Sequence, residues 1–312
     1  MSARAKHAVV IGGGVMGAGI ATVFASGGWR VDVVSPSQKT RDALPAKLQD
    51  GLQRLGASAG AGSLGIHAKL ADVQWSTVDI VVESATEDLA LKQRLFAELV
   101  ALAPKDIALT SNSSSYPISE IGKGLETQSR TMGLHFFMPA HIAPLVEVVR
   151  SVATDVPLAE RVGEWMRELG KHPVQVKRDI IGFLGNRIQA ALMREALHLI
   201  DTDVASPEDV DAAVRYGFGF RFAAAGPILQ KEHSGWDTTN AVSNIIYPDL
   251  CNASESIPVL SKMAAEKRIG MKTGEGFYKW DAAKIATEKA RYEKALMATL
   301  DVLKLDQAEP KR

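Results

Sequence analysis

Val9-Val-Ile-Gly-Gly-Gly-Val-Met-Gly-Ala-Gly19 is the stretch that decides the fold. A short β-branched run ends in a glycine cluster, and the residues after it take helical spacing, with small side chains toward the turn. That order predicts strand, turn, helix. Gly12, Gly14 and Gly17 have G-x-G-x-x-G spacing, which keeps the turn tight, brings backbone N–H groups against a pyrophosphate, and seats the helix close to the strand. Alone the spacing is weak. Here it follows a predicted strand, opens a helix, and lies within a unit of about thirty residues, the context in which it indicates nucleotide binding.

A second strand is expected over Arg30–Val34, followed by a helix over 41–55 whose Leu44, Leu48, Leu52 and Leu55 share one face, completing a βαβ unit. The acid that ordinarily reads the adenosine ribose ends the second strand, about twenty residues after the turn. That position is Ser35. A serine neither accepts both ribose hydroxyls as a carboxylate does nor repels a 2′-phosphate, and Lys39 and Arg41 follow it, so NAD and NADP are both candidate cofactors. Alternatively Ser35 simply begins a turn with Pro36, Arg41 is a solvated first-turn residue, and NAD binds.

Further along, 56–65 reads as a surface loop. Strands are expected over 79–83, 107–111, 132–137, 145–149 and 173–176, with helices over 87–102 and 158–169. This is an α/β domain with a Rossmann-type doubly wound sheet. From Ile181 the pattern changes to helices alone, beginning over 183–200, where Leu184, Ile188, Leu192 and Leu199 lie near one face. The expected division is a dinucleotide-binding domain over 1–180 and an all-α substrate and dimerisation domain over 181–312. The charged, amphipathic tail 282–305 reads as a packed or dimer-facing helix.

Composition agrees with two ordinary domains: 312 residues, 46% of them apolar. Lys plus Arg and Asp plus Glu are 36 each, so no basic field exists to attract nucleic acid or an anionic membrane. No apolar run approaches membrane-spanning length. Small molecules are the expected partners. The single Cys251 cannot form an intrachain disulfide, and the polar start at residues 1–6 is too short for a signal peptide, so a reducing cytoplasm is the expected compartment. Of the seven histidines, His135 and His141 are six apart and no other pair has compact ligand spacing, so no metal is expected.

Chemistry is suggested by Leu134-His-Phe-Phe-Met-Pro-Ala-His-Ile-Ala-Pro-Leu-Val-Glu-Val-Val149. A histidine side chain can both accept and return a proton, which makes His135 a candidate base, while Glu147 could orient it and stabilise the imidazolium. Glu147 is a charge inside an otherwise apolar strand, and burial there requires a partner. The alternatives are a structural histidine and an edge-strand acid facing water. Beside a nucleotide turn, a base with its carboxylate points to hydride transfer.

The resemblance carried by Gly12-Gly-Gly-Val-Met-Gly-Ala-Gly-Ile-Ala21, Val81-Val-Glu-Ser-Ala-Thr-Glu87, Ser111-Asn-Ser-Ser-Ser115, Leu134-His-Phe-Phe137, Leu145-Val-Glu-Val-Val149, Gly170-Lys-His-Pro173, Gly182-Phe-Leu-Gly-Asn-Arg187 and Lys272-Thr-Gly-Glu-Gly-Phe-Tyr278, in order across nearly the whole chain, is to the L-3-hydroxyacyl-CoA dehydrogenase family. It implies that His135 takes the hydroxyl proton as the carbinol hydride moves to a nicotinamide, with Glu147 holding the imidazole. It also implies that Ser114 and Asn186 hydrogen-bond the reacting oxygen, although a serine-rich turn and a polar helix start would explain those two equally simply. Glu87 and Lys92 match positions on the nicotinamide side; otherwise Glu87 is a first-turn helix acid and Lys92 surface. Val15, Met16 and Asn112 fall with the cofactor loop. A homodimer through the helical domain is implied as well.

The chain also departs from that pattern. Acyl-CoA members carry a long Lys-rich arm after the second strand; here 44–73 is shorter by roughly a dozen residues on motif spacing and holds Gly56-Ala-Ser-Ala-Gly-Ala-Gly-Ser-Leu-Gly65 instead. Met138 replaces the family's Asn after His-Phe-Phe. Lys231, His233 and Trp236 would shape a polar pocket with one flat wall, a cation suiting a carboxylate and an indole suiting a ring or quaternary ammonium. Alternatively Lys231 and Glu232 are an exposed helical pair. The expected activity is oxidation or reduction of a small hydroxy acid without coenzyme A, as in family relatives acting on carnitine, gulonate or pyridine carboxylates. The rivals are a short-chain 3-hydroxyacyl-CoA dehydrogenase and a non-catalytic, crystallin-like nucleotide-binding protein.

Overall fold

The computed structural model describes residues 4–57 and 64–305. The chain divides between Arg187 and Ile188 into two compact units. In the first, eight strands form one sheet: β1 (His7–Ile11), β2 (Arg30–Val34), β3 (Leu64–His67), β4 (Ile80–Glu83), β5 (Ala108–Ser111), β6 (Thr131–Phe136), β7 (Leu145–Val149) and β8 (His172–Val176). Their spatial order is β3-β2-β1-β4-β5-β6-β7-β8, parallel throughout except between β6 and β7. The helices between them are α1 (Val15–Ser26), α2 (Gln38–Arg54), α3 (Leu89–Leu102), α4 (Ile118–Ile121) and α5 (Val156–Glu168). This is the doubly wound arrangement that the sequence predicts.

Alternation along each strand feeds two cores. Ala8 and Val10 of β1 pack with Ile20, Phe24 and Leu44 on one face, while Val9 and Ile11 join Phe96 and Leu99 on the other. With both faces covered, the inner strands read as unbroken apolar runs. Strand order reverses between β1 and β4, which opens a crevice beyond their carboxyl ends, the usual place for a ligand in such sheets.

Several boundaries differ from expectation, three of them for evident local reasons. Leu64 and Gly65, assigned to a loop, begin β3 and pair with Val31 and Asp32 of β2. Four residues that include a glycine carry no strand period, and glycine leaves room for the buried Asp32 side chain, since a Cβ at Gly65 would lie 2.1 Å from its carboxylate oxygen. The middle of the expected loop, 58–63, lies outside the described residues. Helix α3 starts at Leu89 because Asp88 caps it, accepting the Leu91 amide at 2.7 Å, so Glu87 precedes the helix rather than occupying its first turn. Phe183 and Leu184 also lie ahead of their helix, which starts at Gly185.

The second unit is helical: most of α6 (Gly185–Asp201), then α7 (Pro207–Ala212), α8 (Pro227–Ser234), α9 (Trp236–Ile246), α10 (Pro258–Ala265) and α11 (Ala282–Leu305). Glu195 accepts the Cys251 amide at 2.8 Å and Asp201 the Val259 amide at 2.9 Å. Among its described apolar side chains only Leu197, Ile257 and Met263 are buried. Among the described residues, no helix is long and apolar enough to cross a membrane.

Candidate active site

The glycine turn performs three tasks at three positions. Gly12 has φ +105°, and a Cβ there would lie 2.3 Å from the Ser84 carbonyl oxygen; a Cβ at Gly17 would lie 1.8 Å from that of Gly12. Gly14 instead faces open space. It precedes α1, which has no side-chain cap and no acid in its first turn, so the amides opening the helix are left for an anion. A cleft of about 900 Å³ lies in front of them. Its wall includes Gly12, Gly14, Val15, Met16, Ser35, Glu87, Lys92, Asn112 and Ser114. The open space at Gly14 and the uncapped helix start fit a dinucleotide pyrophosphate.

Strand β6 pairs His135 directly with Glu147 of β7. Leu134 and Phe136 point into one core, which turns His135 to the opposite face, beside Phe183. His135 Nδ1 and Glu147 Oε2 are 2.7 Å apart, and both side chains are buried. The other carboxylate oxygen, Oε1, accepts the amides of Leu184 at 3.0 Å and Gly185 at 2.7 Å. These amides open α6, and Gly182 and Phe183 ahead of them are both left-handed, at φ +73° and +47°. The non-glycine Phe183 is strained there. Burial raises the Glu147 carboxyl, but the His135 hydrogen bond, the Gly185 amide, the His135 charge and the Leu184 amide together hold it below its ordinary 4.5. An ionised Glu147 can only accept, so Nδ1 carries the proton and Nε2 is the atom able to receive another.

Ser114 sits in a loop fixed from outside. Glu87 Oε1 accepts the Ser113 hydroxyl at 2.6 Å and the Ser115 amide at 3.1 Å, gripping the residues on either side. Burial raises the Glu87 carboxyl, and the Ser113 hydroxyl, Lys92 and the Ser115 amide bring it below its ordinary value. Lys92 is buried between Glu87, at 3.1 Å, and both oxygens of Glu83, at 3.0 Å. Glu83 also accepts the Ser111 hydroxyl at 2.6 Å. Asn112 spends its oxygen on the Phe136 amide at 2.8 Å, tying this loop to the strand of His135. Among the described residues, the side chains of Ser114 and Asn186 make no hydrogen bond, and Asn186 lies in the first turn of α6.

Other expected residues are placed differently. Arg41 is folded back onto the Ser35 and Pro36 carbonyls, at 2.6 and 2.8 Å, and onto Gln38. Met138 is largely exposed. In the second unit Trp236 donates to Glu232 at 2.6 Å, so Glu232 serves the indole rather than Lys231; Lys231 and His233 are exposed on α8. Sequence reading assigned no role to Glu83, although a lone acid in the apolar run Ile80–Glu83 is the same signal that marks Glu147. The amides of Leu184 and Gly185 carried no such signal, because every residue but proline has one.

A nucleotide cleft with an ionised carboxylate orienting a histidine belongs to a nicotinamide-dependent dehydrogenase that acts on a hydroxyl group. Two family models match, the 3-hydroxyacyl-CoA dehydrogenase NAD binding domain over residues 7–180 and the C-terminal domain over 182–280, and the chain belongs to the 3-hydroxyacyl-CoA dehydrogenase family. It is 34% identical over 290 residues to mitochondrial hydroxyacyl-coenzyme A dehydrogenase of Homo sapiens, covering 88% of this chain and 91% of the relative. It is 29% identical over 304 residues to 5-formyl-3-hydroxy-2-methylpyridine 4-carboxylate 5-dehydrogenase of Mesorhizobium japonicum, covering 96% and 98%. A crystal structure of a dehydrogenase of that pyridine carboxylate, described as an NAD+ dependent dismutase, superposes with a TM-score of 0.90 at 28% identity, covering 96% of this chain and 99% of the other.

Proposed function

We propose that this dehydrogenase acts on a small, ring-bearing hydroxy carboxylate without coenzyme A. The observation that carries this reading is likeness over nearly both full lengths to the pyridine-carboxylate enzyme, at a TM-score of 0.90. Met138 in place of the family's Asn, and Lys231, His233 and Trp236 on the helical unit, are consistent with it. His135 Nε2 takes the hydroxyl proton in oxidation and returns it in reduction, Glu147 holds the ring and stabilises the imidazolium, and Ser114 and Asn186 offer their uncommitted polar groups to the reacting oxygen. Bound in the cleft, a nicotinamide supplies the hydride acceptor or donor. Gly14, Val15 and Met16 would hold its pyrophosphate and Ser35 its adenosine ribose, with Glu87 and Lys92 bracing the Ser114 loop.

We infer NAD rather than NADP, because the Arg41 guanidinium is folded back onto backbone carbonyls and is not part of the cleft wall, where a 2′-phosphate would have to be met. We also infer a homodimer through the helical unit, whose exposed apolar side chains include Tyr216, Phe220, Ile228 and Ile245, with very little core of its own. A cytoplasmic location remains the expectation. The second reading, a short-chain 3-hydroxyacyl-CoA dehydrogenase, is favoured by 34% identity to the human enzyme.

The deciding measurement follows reduced-nicotinamide absorbance with NAD and NADP against hydroxylated pyridine and benzene carboxylates, carnitine, sugar acids and 3-hydroxybutyryl-CoA. The ring carboxylates with NAD are expected to give the highest kcat/KM. A preference for the acyl-CoA substrate overturns the leading reading.

A further inference from the structure

Lys171 is a buried cation that the chemistry above does not use. Its side chain is 7% exposed, and Nζ donates to the carbonyls of Ala140 at 2.7 Å, His141 at 3.2 Å and Ala143 at 2.9 Å. An ammonium has three donors, and all three are spent on one turn. Among the described residues no carboxylate lies within ion-pair distance of it, so these carbonyl dipoles alone offset the loss of water. Burial pushes Lys171 down to about 8, which leaves it protonated at neutral pH.

The turn it grips connects β6 to β7, the strands that carry His135 and Glu147. Inside the turn the amides of Ile142 and Ala143 both donate to the Pro139 carbonyl, at 2.9 and 2.8 Å. The turn also rests on α1: a Cβ at Gly19 would come within 3.1 Å of Ala140 Cβ and 3.6 Å of His141 Nδ1. One segment thus touches both the helix that opens at the nucleotide cleft and a fixed lysine. Lys171 is itself anchored: Gly170, at φ +75°, ends α5 with its amide on the Arg167 carbonyl at 2.9 Å, and the Lys171 amide bonds Met166 at 2.8 Å. That closure is a Schellman motif, which leaves the chain little freedom.

We propose that Lys171 is a positioning residue for the reaction, its ammonium clamping the 139–143 turn against α1 so that the His135–Glu147 pair keeps its place relative to the cofactor helix. This rests on the reading of His135 as the base. A shift of the reacting groups by about an ångström costs on the order of a hundredfold in rate, so a loosened turn is expected to appear in kcat before it appears in cofactor affinity.

The test compares wild type with Lys171→Met, Lys171→Arg, Gly19→Ala and His135→Gln, using whichever substrate the absorbance panel turns over best. Three quantities are measured: kcat and KM, the Kd for NADH by fluorescence, and hydrogen exchange at the Ile142 and Ala143 amides. Lys171→Met is expected to speed exchange at those amides about tenfold or more and to lower kcat about tenfold or more. NADH Kd should stay within about twofold, and Lys171→Arg should recover part of the loss. Gly19→Ala, which presses on the turn from α1, is expected to share the signature and serves if Lys171→Met does not fold. A folded Lys171→Met enzyme with unchanged kcat, or with unchanged exchange at both amides, overturns the proposal. Full turnover in His135→Gln would instead defeat the base assignment, while the exchange measurement still judges the clamp.

Discussion

Glu147 accepts three hydrogen bonds, one from the His135 imidazole and two from the Leu184 and Gly185 amides, and this is how a carboxylate survives full burial in an apolar strand. Its contact with His135 could be read in the sequence because an acid in such a strand needs a partner and a histidine lies twelve residues upstream. The amides could not, since backbone donors leave no trace in residue identity. Glu147→Gln is expected to keep the shape but lose the charge that selects the histidine tautomer. We expect kcat to fall on the order of a thousandfold or more, measured against NADH affinity, which should hold. The same variant tests linkage. A carboxyl held below 4.5 in the folded state contributes stability that is fully present above that value and is lost as pH falls through its lower folded value. The stability difference between wild type and Glu147→Gln should therefore shrink below about pH 4.5, as read by denaturant unfolding across the acid range.

Helix starts build the site twice. The N-terminus of α1 faces the cleft, and that of α6 holds Glu147. The first is legible because a glycine pattern spells it out. The second is hidden, since Phe183 and Leu184 look like the beginning of an amphipathic helix and only the left-handed backbones of Gly182 and Phe183 delay it to Gly185. Glycine at 185 has a tight steric reason: a Cβ would lie 2.6 Å from Phe137 Cζ, and that ring packs against His135, tilted at 59° to it with centroids 4.7 Å apart. Gly185→Ala should therefore push Phe137 into the imidazole. The expected outcome is a loss of kcat of about tenfold or more with a stability cost of about 1–3 kcal/mol. Full activity in a folded Gly185→Ala enzyme would show that the ring moves aside freely.

The two units differ in how completely they are buried. The sheet unit covers both faces of its strands, whereas the helical unit leaves Tyr216, Ile245 and Tyr247 at 73%, 77% and 69% exposed. Burying a large apolar side chain contributes roughly 1.5–3 kcal/mol, so a second copy has much to gain by covering several of them. Sedimentation equilibrium is expected to give twice the 33.5 kDa chain mass, and Ile245→Asp with Tyr247→Asp should move the protein toward monomer. A wild-type chain that stays monomeric at micromolar concentration would remove the dimer proposal.

Local pattern was enough for the alternation of strands and helices and for the nucleotide turn, because hydrophobic period and glycine spacing are properties of neighbouring residues; it marked Glu147 as a charge needing a partner, and the family motifs pointed to His135 as that partner. The edge strand β3, the fold-back of Arg41 onto carbonyls, the grip of Glu87 on the Ser114 loop and the clasp of Lys171 on the 139–143 turn were not readable in this way. Each joins a side chain to backbone groups or to segments brought near only by the folded chain. Backbone donors and acceptors are the same at every residue, so their partners become visible only when the packed chain brings the two together.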